Sequence, residues 1–210
     1  MKGKSRFIQL VNVLFVLCIG FTSCKSQPQS GKMIKEQVKL LNQYAQAITN
    51  NEGVKRKEYL ILFFQSFPND FETFDEIYGY HEDSVLHLTH TLFELLPELK
   101  KSIPADEYYK KMISVGIRGK WQADEIGILQ HHLQKIVPEN VRLSIEVLNK
   151  EDEKEIESFW YFLFDGPHPN NYRKYYGDLY TKISQINPKI ADLMKRAYEQ
   201  LLSEDDGHGH

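Results

Sequence analysis

The sequence predicts an all-α domain. A chain of 210 residues, 41% of them hydrophobic, can bury the core of one medium-sized domain. Beyond residue 31, apolar residues recur at three- and four-residue spacing along most of the chain. Only residues 59–64 (YLILFF) have strand character, and a lone strand cannot satisfy its backbone hydrogen bonds. We therefore expect residues 59–64 to form a core helix, within a single compact domain of about eight or nine short helices.

The predicted helices are separated by proline, glycine and asparagine breaks. Pro97 and Pro138 are expected to end their helices, and Pro104 to begin one. The acidic residues 151–153 suit a helix N-terminus, and Asn187 with Pro188 reads as the start of the last helix. In chain order, the apolar stripes cover residues 34–48, 59–64, 71–78, 85–95, 108–113, 126–136, 141–148, 156–164, 172–186 and 190–201.

The first 23 residues have the pattern of a secretory signal peptide. Residues 2–6 carry three positive charges, and residues 7–21 are mostly apolar. A membrane-spanning helix needs about 20 apolar residues, whereas this run is shorter and is interrupted by Gln9 and Asn12. We therefore expect a cleaved signal and not a permanent transmembrane anchor.

The end of the apolar run, Thr22-Ser23-Cys24, resembles the bacterial lipobox. The resemblance implies cleavage before Cys24, diacylglycerol on its thiol, and anchoring in the lipid bilayer of the inner or outer membrane of a Gram-negative bacterium. The alternative is an ordinary signal peptide with an incidental cysteine. The predicted division is a signal peptide at 1–23, a polar tether at 24–31, the helical domain at 32–203 and a disordered tail at 204–210.

Cysteine content and charge exclude several classes of function. The other cysteine, Cys18, lies within the predicted signal, so a lipidated chain has no thiol for catalysis, disulfides, zinc or iron–sulfur ligation. Loss of three basic residues with the signal leaves 23 basic against 29 acidic residues, a net charge of −6. Such a charge argues against a nucleic-acid partner. No nucleotide-binding or nucleophile motif is present, and we expect no cofactor.

Residues 67–80 and 159–169 are dense in aromatic residues, and the first segment is also rich in acids. Both segments resemble stretches of lipoproteins from Bacteroidetes-type bacteria. Some proteins of that kind neutralise toxins delivered between neighbouring cells. The resemblance therefore implies a binding protein and not an enzyme.

The segment 67–80 contains the predicted partner-binding site. Aromatic anchors surrounded by acids would steer and hold a protein partner with a basic surface. The alternative is an amphipathic helix whose aromatic residues lie in the core. The predicted contact residues are Asp70, Phe71, Asp75, Glu76, Tyr78 and Tyr80.

Two further clusters contain side chains that could take part in catalysis or in metal binding. His168 lies between two prolines, close to Asp165 in the sequence. A histidine on such a stiff loop could act as a general base. The alternative is that His168 is an exposed residue of a loop that ends a helix. His87, His90 and Glu94 share a helical face and form a partial zinc-site pattern, although this spacing is common by chance.

Three functions remain open from the sequence. The favoured hypothesis is a lipid-anchored envelope protein that binds a partner, in the manner of an immunity protein that occludes a toxin. The second is a lipoprotein that binds a small ligand or metal, or a hydrolase that uses His168. The third is a structural lipoprotein of the envelope.

The anchor prediction can be tested by the substitution Cys24→Ala. Because the thiol accepts the lipid, we expect the variant to leave the membrane fraction or to accumulate uncleaved. Cell fractionation and the N-terminal mass of the wild-type protein measure this. Unchanged membrane association, with no acyl mass on the wild type, would contradict a lipid anchor.

Overall fold

The computed structural model describes residues 31–79, 88 and 91–204, and within them it shows helices and no strand. The predicted all-α class is confirmed, with ten α-helices against the eight or nine expected. In chain order they are α1 (Gly31–Asn50), α2 (Gly53–Ser66), α3 (Phe71–Tyr78), α4 (Leu92–Ser102), α5 (Ala105–Gly116), α6 (Glu125–Glu139), α7 (Val141–Leu148), α8 (Glu153–Phe164), α9 (Arg173–Ser184) and α10 (Pro188–Glu204), with a 3-10 helix at Pro169–Tyr172.

The strand-like stretch 59–64 is helical, as predicted, and lies within α2. Its side chains Leu60, Phe63 and Phe64 are buried, and α2 packs along α1. Helix α1 presents its own stripe of buried residues at three- and four-residue spacing, from Ile34 to Ile48. The two helices therefore cover each other's apolar faces.

The C-terminal half of α8 is deeply buried. Residues 159, 160, 162, 163 and 164 are all fully buried, so apolar residues surround most of its circumference. It contacts α5, α6 and α10. At Gly119 a Cβ atom would overlap the ring of Phe162, so only glycine fits this approach. The indole nitrogen of Trp160 is buried without a hydrogen-bond partner among the described residues.

The C-terminal end of α8 is held by side chains of α6. Gln130 Nε2 donates to the carbonyl oxygens of Phe162 (2.6 Å) and Asp165 (2.7 Å), and Gln134 Nε2 donates to that of Leu163 (2.8 Å). The last carbonyls of a helix have no partner within the helix, and burial without one is costly. These two amides therefore allow α8 to end inside the protein.

The end of α2 has a comparable arrangement with a charged donor. Lys111 Nζ donates to the carbonyl oxygens of Phe64 (2.7 Å) and Phe67 (3.0 Å), and it lies 4.8 Å from the centroid of the Phe64 ring. Burial lowers the pKa of Lys111 to about 8. A cation at a helix C-terminus also complements the helix dipole.

Two prolines lie inside helices, and the expectation that they end them is wrong. Pro97 lies inside α4, where the carbonyl left without a helical partner belongs to the exposed residue Phe93. Pro138 lies in the last turn of α6 and leaves the Gln134 carbonyl without its helical donor. The Tyr175 hydroxyl donates to that oxygen over 2.9 Å. A side chain of α9 thus replaces the hydrogen bond that the proline removes.

The first described helix, α1, starts at Gly31, and the last, α10, ends at Glu204, both at the limits of the described residues. The domain boundaries at 32 and 203 stay a prediction from the sequence. Pro104 is the residue before α5, and Asn187 caps α10 by accepting from the Ile190 amide (3.2 Å). The signal peptide, Cys24 and residues 205–210 lie outside the described residues. Among the described helices, none has the length and apolarity needed to cross a bilayer.

The substitution Tyr175→Phe tests the role of the hydroxyl at the end of α6. We expect it to lower the free energy of unfolding by about 1–2 kcal/mol, because the Gln134 carbonyl loses its donor. Chemical denaturation measures the change. Tyr180→Phe is the matched control, since Tyr180 is also half-buried on α9 and its hydroxyl has no hydrogen bond among the described residues.

A second substitution makes the test specific. In a Pro138→Ala background the backbone amide of residue 138 returns, so Tyr175→Phe should cost clearly less than in the wild type. Equal costs in both backgrounds would show that the hydroxyl does not compensate for the proline.

Candidate functional site

Two aromatic residues of the predicted partner-binding site, Phe71 and Tyr78, lie in the core. Phe71 is 9% exposed and Tyr78 6% exposed. The Phe71 ring meets Phe162 edge-on at 5.5 Å between centroids, and Tyr78 stacks on Phe74 at 4.8 Å. The prediction that Phe71 and Tyr78 are surface anchors is therefore wrong. These rings instead join α3 to the interior, because its apolar stripe faces the other helices.

Two of the predicted acidic contacts have structural partners. Asp70 caps α3 by accepting from the Thr73 amide (2.8 Å), and Asp75 accepts from Gln122 Nε2 (3.0 Å). Glu76 is exposed on α3. Tyr80 lies outside the described residues. The five of these residues that the structure describes therefore do not form a joint acidic and aromatic surface.

The loop after α8 does not form a catalytic pair. Both carboxylate oxygens of Asp165 accept backbone amides, Oδ2 from Trp121 (2.9 Å) and Oδ1 from Gly166 (2.8 Å). His168 is exposed, and no hydrogen bond links its imidazole to Asp165. Asp165 therefore organises the loop, and no described contact orients His168 as a base.

The predicted metal cluster is only partly described. His87 and His90 lie outside the described residues, and Glu94 is exposed in the first turn of α4. Among residues 31–79, 88 and 91–204, no group of three or more His, Cys, Asp or Glu side chains has a metal-binding arrangement. Among the described residues, none forms a metal-binding group with Glu94.

A groove between α4 and α6 is the candidate site that the structure adds. At one end, the amide of Leu92, the first residue of α4, donates to Oε2 of Glu125, the first residue of α6 (3.1 Å). At the other end, Lys100 near the end of α4 pairs with Glu139, the last residue of α6. The two helices therefore run in the same direction and flank the groove along their lengths.

The groove has a volume of about 740 Å³ and a mainly apolar lining. Each helix contributes one stripe of side chains at helical spacing, which is why the lining residues are scattered in the sequence. The stripe from α4 comprises Leu92, Phe93, Leu96, Pro97, Lys100 and Lys101. The stripe from α6 and its N-cap comprises Asp124, Gly127, Ile128, His131, His132, Lys135, Ile136 and Glu139.

A buried histidine forms part of the groove wall. His132 Nε2 lies 2.7 Å from the Tyr108 hydroxyl, which donates to the Leu96 carbonyl over 3.0 Å. The hydroxyl has one proton, so when it donates to the Leu96 carbonyl, His132 Nε2 carries the hydrogen of its bond to Tyr108. Burial, with the positive charges of Lys100 and Lys135, lowers the pKa of His132 from 6.5 to about 4. The imidazole is therefore neutral at pH 7.

The far end of the groove is cationic. Lys101 and Lys135 are exposed there, and neither forms an ion pair with a described residue. Lys100 is the one lysine of the lining that is paired, with Glu139. The opposite end carries Asp124 beside Leu92 and Gly127. The groove thus runs from a half that is apolar apart from Asp124 to a positively charged half.

The sequence patterns did not reveal this groove. In the structure, the groove is marked most clearly by Phe93, a large apolar residue on α4 that is 66% exposed. Another signal is the adjacent pair His131 and His132, of which one is exposed and the other buried. Neither signal identifies a site until α4 and α6 are placed side by side.

Comparison with protein-family models, curated proteins and solved structures gave no match. No relative therefore suggests which residues bind or react. Any function of the groove has to be inferred from the side chains that line it.

The buried state of His132 makes stability depend on pH. Its pKa is lower in the folded protein than in the unfolded chain, so the unfolded chain binds the proton first as the pH falls. Stability should therefore decrease between about pH 6.5 and pH 4, by up to about 1.4 kcal/mol per pH unit for this one proton.

The substitution His132→Gln should reduce this acid-dependent loss, because the buried imidazole that resists protonation is removed. Denaturation at several pH values between 4 and 7 measures the two slopes. Identical slopes in the wild type and His132→Gln would contradict a buried, neutral imidazole.

Proposed function

We propose that this protein is a lipid-anchored binding protein of the cell envelope that holds its ligand in the groove between α4 and α6. The anchor follows from the lipobox-like residues 22–24. The binding site is supported by the groove itself, whose volume of about 740 Å³ and largely apolar lining are typical of ligand sites.

The observation that carries the proposal is the exposed ring of Phe93 at the edge of an apolar groove. Phe93 is 66% exposed, while rings such as Phe63, Phe74 and Phe159 are fully buried. Exposed aromatic residues beside apolar depressions are frequent at interaction sites. The ligand would cover Phe93 together with the floor residues Leu92 and Leu96.

The charge of the groove favours an anionic occupant over a basic one. A basic partner would be repelled by Lys101 and Lys135, whereas an anionic ligand would be attracted. Occlusion of a toxin from neighbouring cells stays a prediction from the sequence. Capture of a ligand in the groove is the function that the geometry supports best.

The test uses an uncharged apolar dye, N-phenyl-1-naphthylamine, and the full chain with Cys24→Ala so that no lipid is attached. The dye should gain fluorescence on binding. Phe93→Glu should weaken binding roughly tenfold, because it removes apolar contact area and introduces charge.

Val54→Glu is the matched control, since Val54 is 77% exposed on α2, away from the groove. It should bind the dye as the parent does. Any dye bound by the apolar residues 7–21 is common to all variants and cancels in the comparison. If Phe93→Glu and Val54→Glu bind equally well, the groove is not the binding site.

A further inference from the structure

The two halves of the groove differ in charge, and the difference follows the direction of α4 and α6. The parallel arrangement of α4 and α6 places the apolar residues Leu92, Phe93 and Ile128 towards the helix starts. It places Lys101 and Lys135 towards the helix ends. A ligand that fits both halves needs an apolar body and a negative charge at one end.

The cationic end of the groove has two lysines that form no ion pair with a described residue. Lysines in the last turn of α4 also have a structural role, because cations stabilise helix C-termini. Lys100 is additionally neutralised by Glu139. Lys101 and Lys135, however, lie on different helices and face the same groove without an acidic partner among the described residues. The low pKa of His132, caused by burial and by Lys100 and Lys135, is consistent with a positive potential inside the groove.

The dimensions favour a chain-like ligand over a peptide helix. The lining of α4 runs from residue 92 to residue 101, about 14 Å at the helical rise of 1.5 Å per residue. A docked helix of that length would have about nine residues, and isolated helices shorter than about 12–15 residues are only marginally stable. An acyl chain has no such lower limit on its length.

We propose that the groove binds a single-chain anionic amphiphile, a fatty acid or a lysophospholipid. Its acyl chain would lie along Leu92, Leu96 and Ile128, and its head group would lie between Lys101 and Lys135. This inference rests on the proposed function, because it specifies the ligand of the same groove. Carboxylate and phosphate head groups share the required negative charge.

The test compares ligands that have the same 16-carbon chain and different head groups. Palmitate, lysophosphatidylglycerol with one palmitoyl chain, hexadecanol and hexadecyltrimethylammonium are titrated into the full chain carrying Cys24→Ala, each below its solubility limit or micelle concentration. Displacement of N-phenyl-1-naphthylamine reports binding. Palmitate, the lysophospholipid or both should bind more tightly than hexadecanol, and the cationic amphiphile should bind most weakly.

Charge variants test the position of the head group. Lys101→Glu with Lys135→Glu should weaken binding of the anionic amphiphiles roughly tenfold and leave hexadecanol unchanged. The matched control is Lys120→Glu with Lys154→Glu, the same change of charge at exposed lysines outside the groove that form no ion pair with a described residue. Circular dichroism of each variant confirms that the helical fold is retained.

The outcomes separate the two proposals. Dye binding that depends on Phe93, with no preference for anionic over neutral and cationic amphiphiles, would overturn the ligand class and keep the groove as a binding site. Tighter binding of an acidic amphipathic peptide than of any amphiphile would also overturn the ligand class and keep the groove as a binding site. If neither the dye nor any amphiphile depends on Phe93, both proposals fail. Palmitate bound and the lysophospholipid rejected would identify a carboxylate ligand, and the reverse a phosphate ligand.

Discussion

Short helices that end inside a protein must find donors for their last carbonyl groups, and the described fold depends on how this chain provides them. Gln130 and Gln134 supply amides to the end of α8, and Lys111 supplies an ammonium group to the end of α2. Tyr175 supplies a hydroxyl to α6. Each donor comes from a different helix than the one it completes. The contacts that satisfy helix ends are therefore also contacts that hold helices together.

The positions of most helices could be predicted because their apolar residues recur with the period of a helix. The starts of α8 and α10 could also be read, since Asp152 and Asn187 cap them directly. The ends at Pro97 and Pro138 could not. A proline removes one hydrogen bond, and whether the helix continues depends on the surroundings of the freed carbonyl. For Pro138 the compensating hydroxyl of Tyr175 comes from 37 positions further along the chain, which no local pattern contains.

The candidate site was less predictable than the fold for the same reason. The aromatic residues of α3 could be placed on one face, but the sequence did not decide between a core face and a contact face. The structure assigns Phe71 and Tyr78 to the core. The groove depends on α4 and α6 lying parallel, which is visible in the pairs Leu92 with Glu125 and Lys100 with Glu139. Residues more than 30 positions apart thus define one site, and a motif search along the chain cannot join them.

The two tryptophans of the chain give the protein two optical probes with different surroundings. Trp160 is enclosed in the apolar interior, and its unpaired indole N–H has no acceptor among the described residues. Trp121 is half-buried, and its backbone amide is held by Asp165. Emission from an enclosed, unpaired indole lies at short wavelength and shifts when water reaches it. Intrinsic fluorescence should therefore distinguish loosening of the loop around Asp165 from opening of the interior around α8, without an added label.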